Sequence, residues 1–386
     1  MSACAVRDPE MIWNFLSVLV PFLFVLTVVV FVHELGHFLV ARWCGVKVQA
    51  FSIGFGREIW GFNDSRGTRW RLAWIPLGGY VKFVDDENGA SVPSRDALER
   101  LSAQDRAGAF QSKTLGQRAA VVAAGPIANF LLAIVLFATI FVFVGVSVTA
   151  PRVDEVIPGG AAETAGFKAG DLIVSIDGTP VESFNEMQRI VGANADTELT
   201  FVLDRGGTQL ALKATPGRRE LTDRFGNKLR VGVIGIKRTT QPQDWEYRRY
   251  GPLEALWLGA KETHFIVAKT IGYLRDVVLG REAADQLGGP IRIAEVSGQV
   301  ASAGFVPLLN LTAVLSVSIG LINLFPIPLL DGGHLMFYAL EAIRRRPLSA
   351  RAQDIGFRIG LTLVLMLMMY ATFNDLPIVR RWIGLG

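Results

Sequence analysis

Charge is scarce in this 386-residue chain. Asp, Glu, Lys and Arg make up only 19% of it, against roughly a quarter in ordinary soluble domains. The charges nearly cancel, leaving +4, and no basic run is long enough to be an electrostatic footprint for nucleic acid. Cysteine is almost absent. Cys4 and Cys44 cannot build a disulfide framework, and neither lies in a CxxC pair. No internal repeat is visible, so a solenoid is not indicated. The N-terminus does not read as a cleaved signal peptide: Arg7 is offset by Asp8 and Glu10, and the apolar run behind them is too long for a signal core. Hydrophobic residues, at 51%, take the place of charge. Together these figures argue against disorder, a collagen-like fibre and an ordinary soluble enzyme.

The apolar residues are clustered. The runs Ile12–Val32, Ala119–Val148, Phe305–Leu330 and Ile355–Phe373 are each of a length that spans about 30 Å of hydrocarbon, and they predict four transmembrane helices. Bases near helix ends set the orientation. Arg42, Lys47, Lys113 and Arg118 flank the loop between the first two runs, and Arg344, Arg345, Arg346, Arg351 and Arg358 fill the loop between the last two. The long middle segment has only Arg152 and Arg292 near its ends. The first and third loops are therefore expected in the cytoplasm, with the middle segment outside. Arg380 and Arg381 run against this arrangement but are outnumbered.

Residues 150–240 read as a small mixed α/β domain. Leu172–Ile176 and Leu199–Leu203 have strand character, Phe184–Val191 has helical spacing, and Asp177-Gly178 and Gly206-Gly207 mark turns. The stretch Ala165-Gly166-Phe167-Lys168-Ala169-Gly170-Asp171-Leu172-Ile173, followed by Asp177-Gly178, resembles the PDZ fold. By that resemblance, Gly232–Ile236 is the carboxylate loop of a groove that takes an extended peptide as an added strand. Residues 250–300 form an amphipathic segment: Leu253, Leu256, Trp257, Ala260, His264, Val267, Ile271, Leu274 and Val278 follow helical spacing, as in a helix lying on a membrane surface. His264 reads as a structural residue of that interface. Residues 85–105 read as a mobile cytoplasmic loop.

The chemistry sits at the end of the first run, in His33-Glu34-Leu35-Gly36-His37. Four residues apart on a helix, both imidazoles face one way. They can share a zinc ion while the intervening Glu acts on water. Ionisable groups inside apolar segments are functional by default. Catalytic zinc usually has three protein ligands and one open position. Asp331 and His334 both stand near the end of the third run, where Pro326 and Pro328 break the helix. Irregular backbone at that depth is tolerated only where it is buried in protein or lines a cavity.

HExxH at the end of a first span, Asn323-Leu324-Phe325-Pro326-Ile327-Pro328-Leu329-Leu330-Asp331-Gly332 late in the chain and a PDZ domain between them resemble the site-2 protease family of intramembrane zinc metalloproteases (peptidase family M50), bacterial type with a single PDZ domain. Gly54-Phe55-Gly56, Pro76–Lys82, Gly125-Pro126-Ile127-Ala128-Asn129 and Gly288-Gly289-Pro290-Ile291 extend the resemblance over nearly the whole chain. It implies Zn2+ held by His33, His37 and Asp331, Glu34 as general base, and Asn323 holding an unwound substrate strand. The implied fold is a polytopic α-helical membrane protein with an inserted PDZ domain and membrane-associated β-hairpins at Phe51–Trp60 and Trp70–Phe83. The expected organisation is 1–149, a membrane part with the HExxH helix; 150–240, the PDZ domain; 250–300, the surface segment; and 301–386, a second membrane part. The implied activity is cleavage within transmembrane segments of single-span proteins in the bacterial inner membrane, such as anti-sigma factors or signal-peptide remnants. The alternative is a catalytically silent PDZ scaffold, which has no reason to keep an acid between the two His. A metal transporter ranks last, because the two halves show no symmetry.

Overall fold

The computed structural model describes residues 9–86, 101–222, 228–239, 246–281, 284 and 288–382. The chain divides into two compact units, Met1–Ala138 with Leu256–Gly386, and Thr139–Ala255.

The first unit begins with α1 (Pro9–Trp43), which runs unbroken through the HExxH motif. It leads into a long bulged hairpin, β1 (Val48–Asn63) and β2 (Arg69–Phe83). Both expected hairpin stretches fall in this one element. Its strands bend so far that Ala50–Ile53 lie opposite both Gly79–Lys82 and Arg69–Leu72. Glycines at positive φ (Gly54, Gly56 and Gly78) make those bends possible. The proximal hairpin packs on α1 through Phe38, Phe51, Val81 and Phe83. Its far end leaves Trp60, Phe62, Trp74 and Ile75 exposed, an apolar surface suited to lipid.

Of the expected loop at 85–105, residues 87–100 lie outside the described residues. Its start is fixed rather than free: buried Asp85 accepts the backbone N–H of Phe110 and Gln111, both at 2.9 Å. A short helix α2 (Ala103–Ala107) follows, then α3 (Leu115–Phe143).

The second unit holds the short strands β3 (Val146–Val148) and β4 (Glu155–Val156) and helix α4 (Ala161–Ala165). Next come β5 (Leu172–Ile176), β6 (Thr179–Pro180), α5 (Phe184–Ala193), β7 (Leu199–Arg205) and β8 (Thr208–Ala214). These strands form a four-stranded sheet in the order β6-β5-β7-β8. Asp177 and Gly178, both at positive φ, make the tight β5–β6 turn. Ile173, Ile176, Met187, Phe201 and Leu203 close the core. The unit ends with β9 (Gly217–Thr222), β10 (Lys228–Val233), β11 (Ile236–Lys237), which pairs with β4, and β12 (Glu246–Arg248), which pairs with β3. This is the PDZ domain inserted between membrane segments.

The chain then returns to the first unit through α6 (Pro252–Val278), α7 (Pro290–Ser302), α8 (Phe305–Asn323), α9 (Asp331–Arg344) and α10 (Ala350–Trp382). On α6, buried Ala255, Gly259 and Thr263 form a line of small residues, and Gly259 lies against the backbone of α3 at Ile134. The Leu253, Trp257 and Val278 stripe faces outward with His264. Among the described residues, four helical segments are long and apolar enough to cross a membrane: Phe15–Trp43, Leu115–Phe143, Phe305–Asn323 and Arg351–Leu376. The chain is a polytopic helical membrane protein.

Candidate active site

Three helices meet where the chemistry lies, and small residues let them approach. A side chain at Gly36 of α1 would strike the Ala124 carbonyl of α3, and one at Gly125 of α3 would strike the His37 ring. Backbones approach closely in a membrane protein only across such residues. Pro126, one residue on, removes a donor from the ladder of α3. In the turn before it, the Val121 carbonyl accepts from His37 Nδ1 at 2.8 Å. On α8, Gly320 lies against Pro126 and Asn129, since a Cβ there would sit 3.1 Å from the Pro126 oxygen.

The polypeptide after α8 cannot stay helical. It turns through Phe325–Leu330, with Leu329 at φ +108°, a strained conformation for a side-chain-bearing residue. On α10, Gly360 lies so close to the Pro328 carbonyl that any side chain would overlap it, so α10 braces the turn. The turn delivers Asp331 as the first residue of α9.

Asp331 meets the two imidazoles. His33 Nε2 lies 3.2 Å from His37 Nε2 and 3.1 Å from Asp331 Oδ2, and His37 Nε2 lies 3.5 Å from the same oxygen. The rings stand nearly edge to face, 83° apart. This donor set fits zinc. Ligands at about 2.0–2.2 Å around a tetrahedral ion stand roughly 3.3–3.6 Å apart, close to the separations seen. Asp331 Oδ2 is buried and has no partner in hydrogen-bond geometry, as expected of an oxygen aimed at a cation rather than a donor. Among the described residues, His33, His37 and Asp331 form the one group of this kind.

Glu34 projects beside the donor set. The Val81 backbone N–H lies near its carboxylate, and its Cγ lies 3.1 Å from where a Cβ on Gly79 would be. The general-base candidate thus stands beside β2. His334 lines the same cleft but stands outside the three-donor group, with its ring 5.4 Å from that of Phe357. Asn323, the last residue of α8, lines the cleft and donates to the Ile319 carbonyl at 3.0 Å.

The cleft has a volume of about 240 Å³. Beyond the donors it runs between Phe83, Phe110, Gln111 and Tyr338. Burial pushes the Tyr338 phenol up to about 12, so it stays neutral, with the Arg118 guanidinium 4.9 Å from its ring. Sequence spacing did not single out Tyr338, Gln111 or Asn129 as site residues. Tyr338 and Gln111 reach the cleft from far along the chain, Asn129 lies buried against His33 Nδ1, and only the Gly125–Asn129 motif hinted at one of them.

Residues 21–367 match Peptidase family M50. The chain is 51% identical over 358 residues to an Agrobacterium fabrum protein with a zinc-metalloprotease name, covering 93% of this chain and 95% of that one. It is 40% identical over 385 residues to metalloprotease MmpA of Caulobacter vibrioides, covering 94% and 96%. It is also 32% identical, over 459 aligned positions, to the regulator of sigma-E protease RseP of Escherichia coli, covering 94% and 99%.

Proposed function

The chain belongs to peptidase family M50 and is a zinc metalloendopeptidase, and from that premise we propose that it hydrolyses peptide bonds within the transmembrane segments of single-span membrane proteins. The observation that carries this reading is the depth of the donor set: His33, Glu34 and His37 lie within the first candidate span, Phe15–Trp43.

The chemistry follows from what the residues can do. His33, His37 and Asp331 would hold the zinc, which would supply Lewis-acid chemistry for the scissile carbonyl and a water of pKa about 7. Glu34 takes the proton of the attacking water and passes it to the leaving amine as the C–N bond breaks. A transmembrane helix shields its own carbonyls, so the substrate must unwind first. Its freed backbone groups then need new partners. The edge of β2 at Gly79–Phe83, along the cleft, offers them in the manner of strand addition. Asn323, which lines the same cleft, would hold the unwound strand.

The placement of Arg and Lys at helix ends supports a bacterial inner-membrane topology with the PDZ domain outside the cytoplasm. Substrates of the anti-sigma-factor or signal-peptide-remnant kind suit such a protein, and the PDZ groove suits a peptide C-terminus. The test is co-expression with a panel of single-span proteins, comparing wild type with Glu34→Gln and mapping product ends by mass spectrometry. Cuts inside the hydrophobic segment, present with wild type and absent with Glu34→Gln, are expected. Cuts confined to flanking soluble sequence would overturn the intramembrane assignment.

A further inference from the structure

We propose that Asn129 is a positioning residue for the metal site: its side-chain oxygen accepts the Nδ1–H of His33 and so aims Nε2 at His37 and Asp331. The proposal rests on the zinc reading above.

Asn129 is fully buried on α3. One end of its amide lies 3.3 Å from His33 Nδ1. With that end taken as Nδ2, the other end, Oδ1, is buried without any partner. The two ends of an amide have nearly the same shape, and the hydrogen bonds decide which is oxygen. Here the imidazole decides. A His that offers Nε2 to a metal is neutral, so its proton sits on Nδ1, and only an acceptor can face it there. Reversing the amide puts oxygen on that proton, so Oδ1 gains a partner and Nδ2 turns to the side that Oδ1 leaves.

The same helix treats His37 in the same way. Its Nδ1 faces the Val121 carbonyl at 2.8 Å. Val121, Gly125 and Asn129 are spaced four apart, so they share one face of α3. His33 and His37, also four apart, share one face of α1. Gly125 leaves room for both rings, and the two acceptors grip them from either end. Asn129 is itself held in place: Ser316 of α8 donates to its backbone carbonyl at 2.8 Å, and a Cβ on Gly320 would lie 3.2 Å from its Cβ.

The test is zinc affinity of the purified full-length protein in detergent, read by competition with a chelator, with thermal unfolding of the same samples to report folding. Asn129→Leu should weaken zinc binding by about 10- to 100-fold, the usual cost of losing an outer partner of a ligating His. Asn129→Asp, which can only accept, should restore it. Asn129→Ala, too small to clash, should match the Leu variant and covers the case in which Leu misfolds. Wild-type affinity in the Ala variant would overturn the role. So would an Asp variant as weak as Ala, which would make the amide a donor. A wild-type protein that holds no zinc would overturn the metal reading itself, and this role with it.

Discussion

Among the described residues, each unit buries one aspartate completely, and the two are neutralised in different ways. Asp375, on α10 in the membrane unit, accepts the backbone N–H groups of Gly289 and Arg292 at 3.1 Å each, where α7 begins. Asp171, in the PDZ unit, accepts Nε and a terminal nitrogen of Arg205 at 2.7 and 2.8 Å, and the Lys168 N–H at 2.8 Å. In the membrane unit the partner is a helix start, whose free N–H groups and dipole favour an anion. In the PDZ unit it is a cation whose own side chain stays 30% exposed to water. The apolar residues show the same inversion. The PDZ unit folds Ile, Leu and Phe inward, whereas the membrane unit turns Trp13, Trp43 and Val278 outward at 72%, 88% and 84% exposure. Where water is the solvent, a long cation can snorkel to it. Asp375, in the membrane unit, is satisfied by backbone instead.

This contrast can be broken at either end, and the larger effect is expected in the membrane unit. Asp375→Leu would remove the acceptor of both N–H groups, at about 1–3 kcal/mol each, while Asp375→Asn keeps an acceptor and should lose less. Unfolding in detergent followed by proteolysis near residues 279–290 reads both variants. A Leu variant as resistant as wild type would show that the cap contributes nothing.

The smaller effect concerns pH. Burial alone would raise the Asp171 carboxyl, but the Arg205 guanidinium and the Lys168 N–H outweigh it and hold the group below its usual range. A depressed folded-state pKa contributes stability that is fully present above the unfolded value of about 3.9 and is lost as pH falls through the lower folded value. Hydrogen exchange of the β5 and β7 amides should therefore be slower in wild type than in Asp171→Asn at neutral pH. The gap should narrow below about pH 4. A gap that does not change with pH would assign the loss to packing instead.

The sequence was most legible where geometry is local. HExxH spacing places two rings on one helix face, and the structure sets their centroids 4.8 Å apart. The four apolar runs coincide with the four candidate spans, and Pro326 and Pro328 fall where α8 ends. Long-range partners were not legible. His37 and Val121 are 84 positions apart, and Gly289 and Asp375 are 86 apart. No periodicity links such positions; only packing does. Gly125 and Gly289 looked like motif letters until the structure showed what each must clear, a His37 ring in one case and Asp375 in the other. His264 follows the stripe of α6 yet faces outward, whereas Gly259, off that stripe, lies against α3.

The central claim is that two helical histidines and one distant aspartate hold a single catalytic zinc. Metal analysis of the purified protein tests it most directly. The account predicts about one zinc per chain, following the three-ligand logic of catalytic sites. Retention should be lost in His33→Ala, His37→Ala and Asp331→Ala and kept in His334→Ala. Zinc that survives Asp331→Ala but leaves with His334→Ala would contradict it.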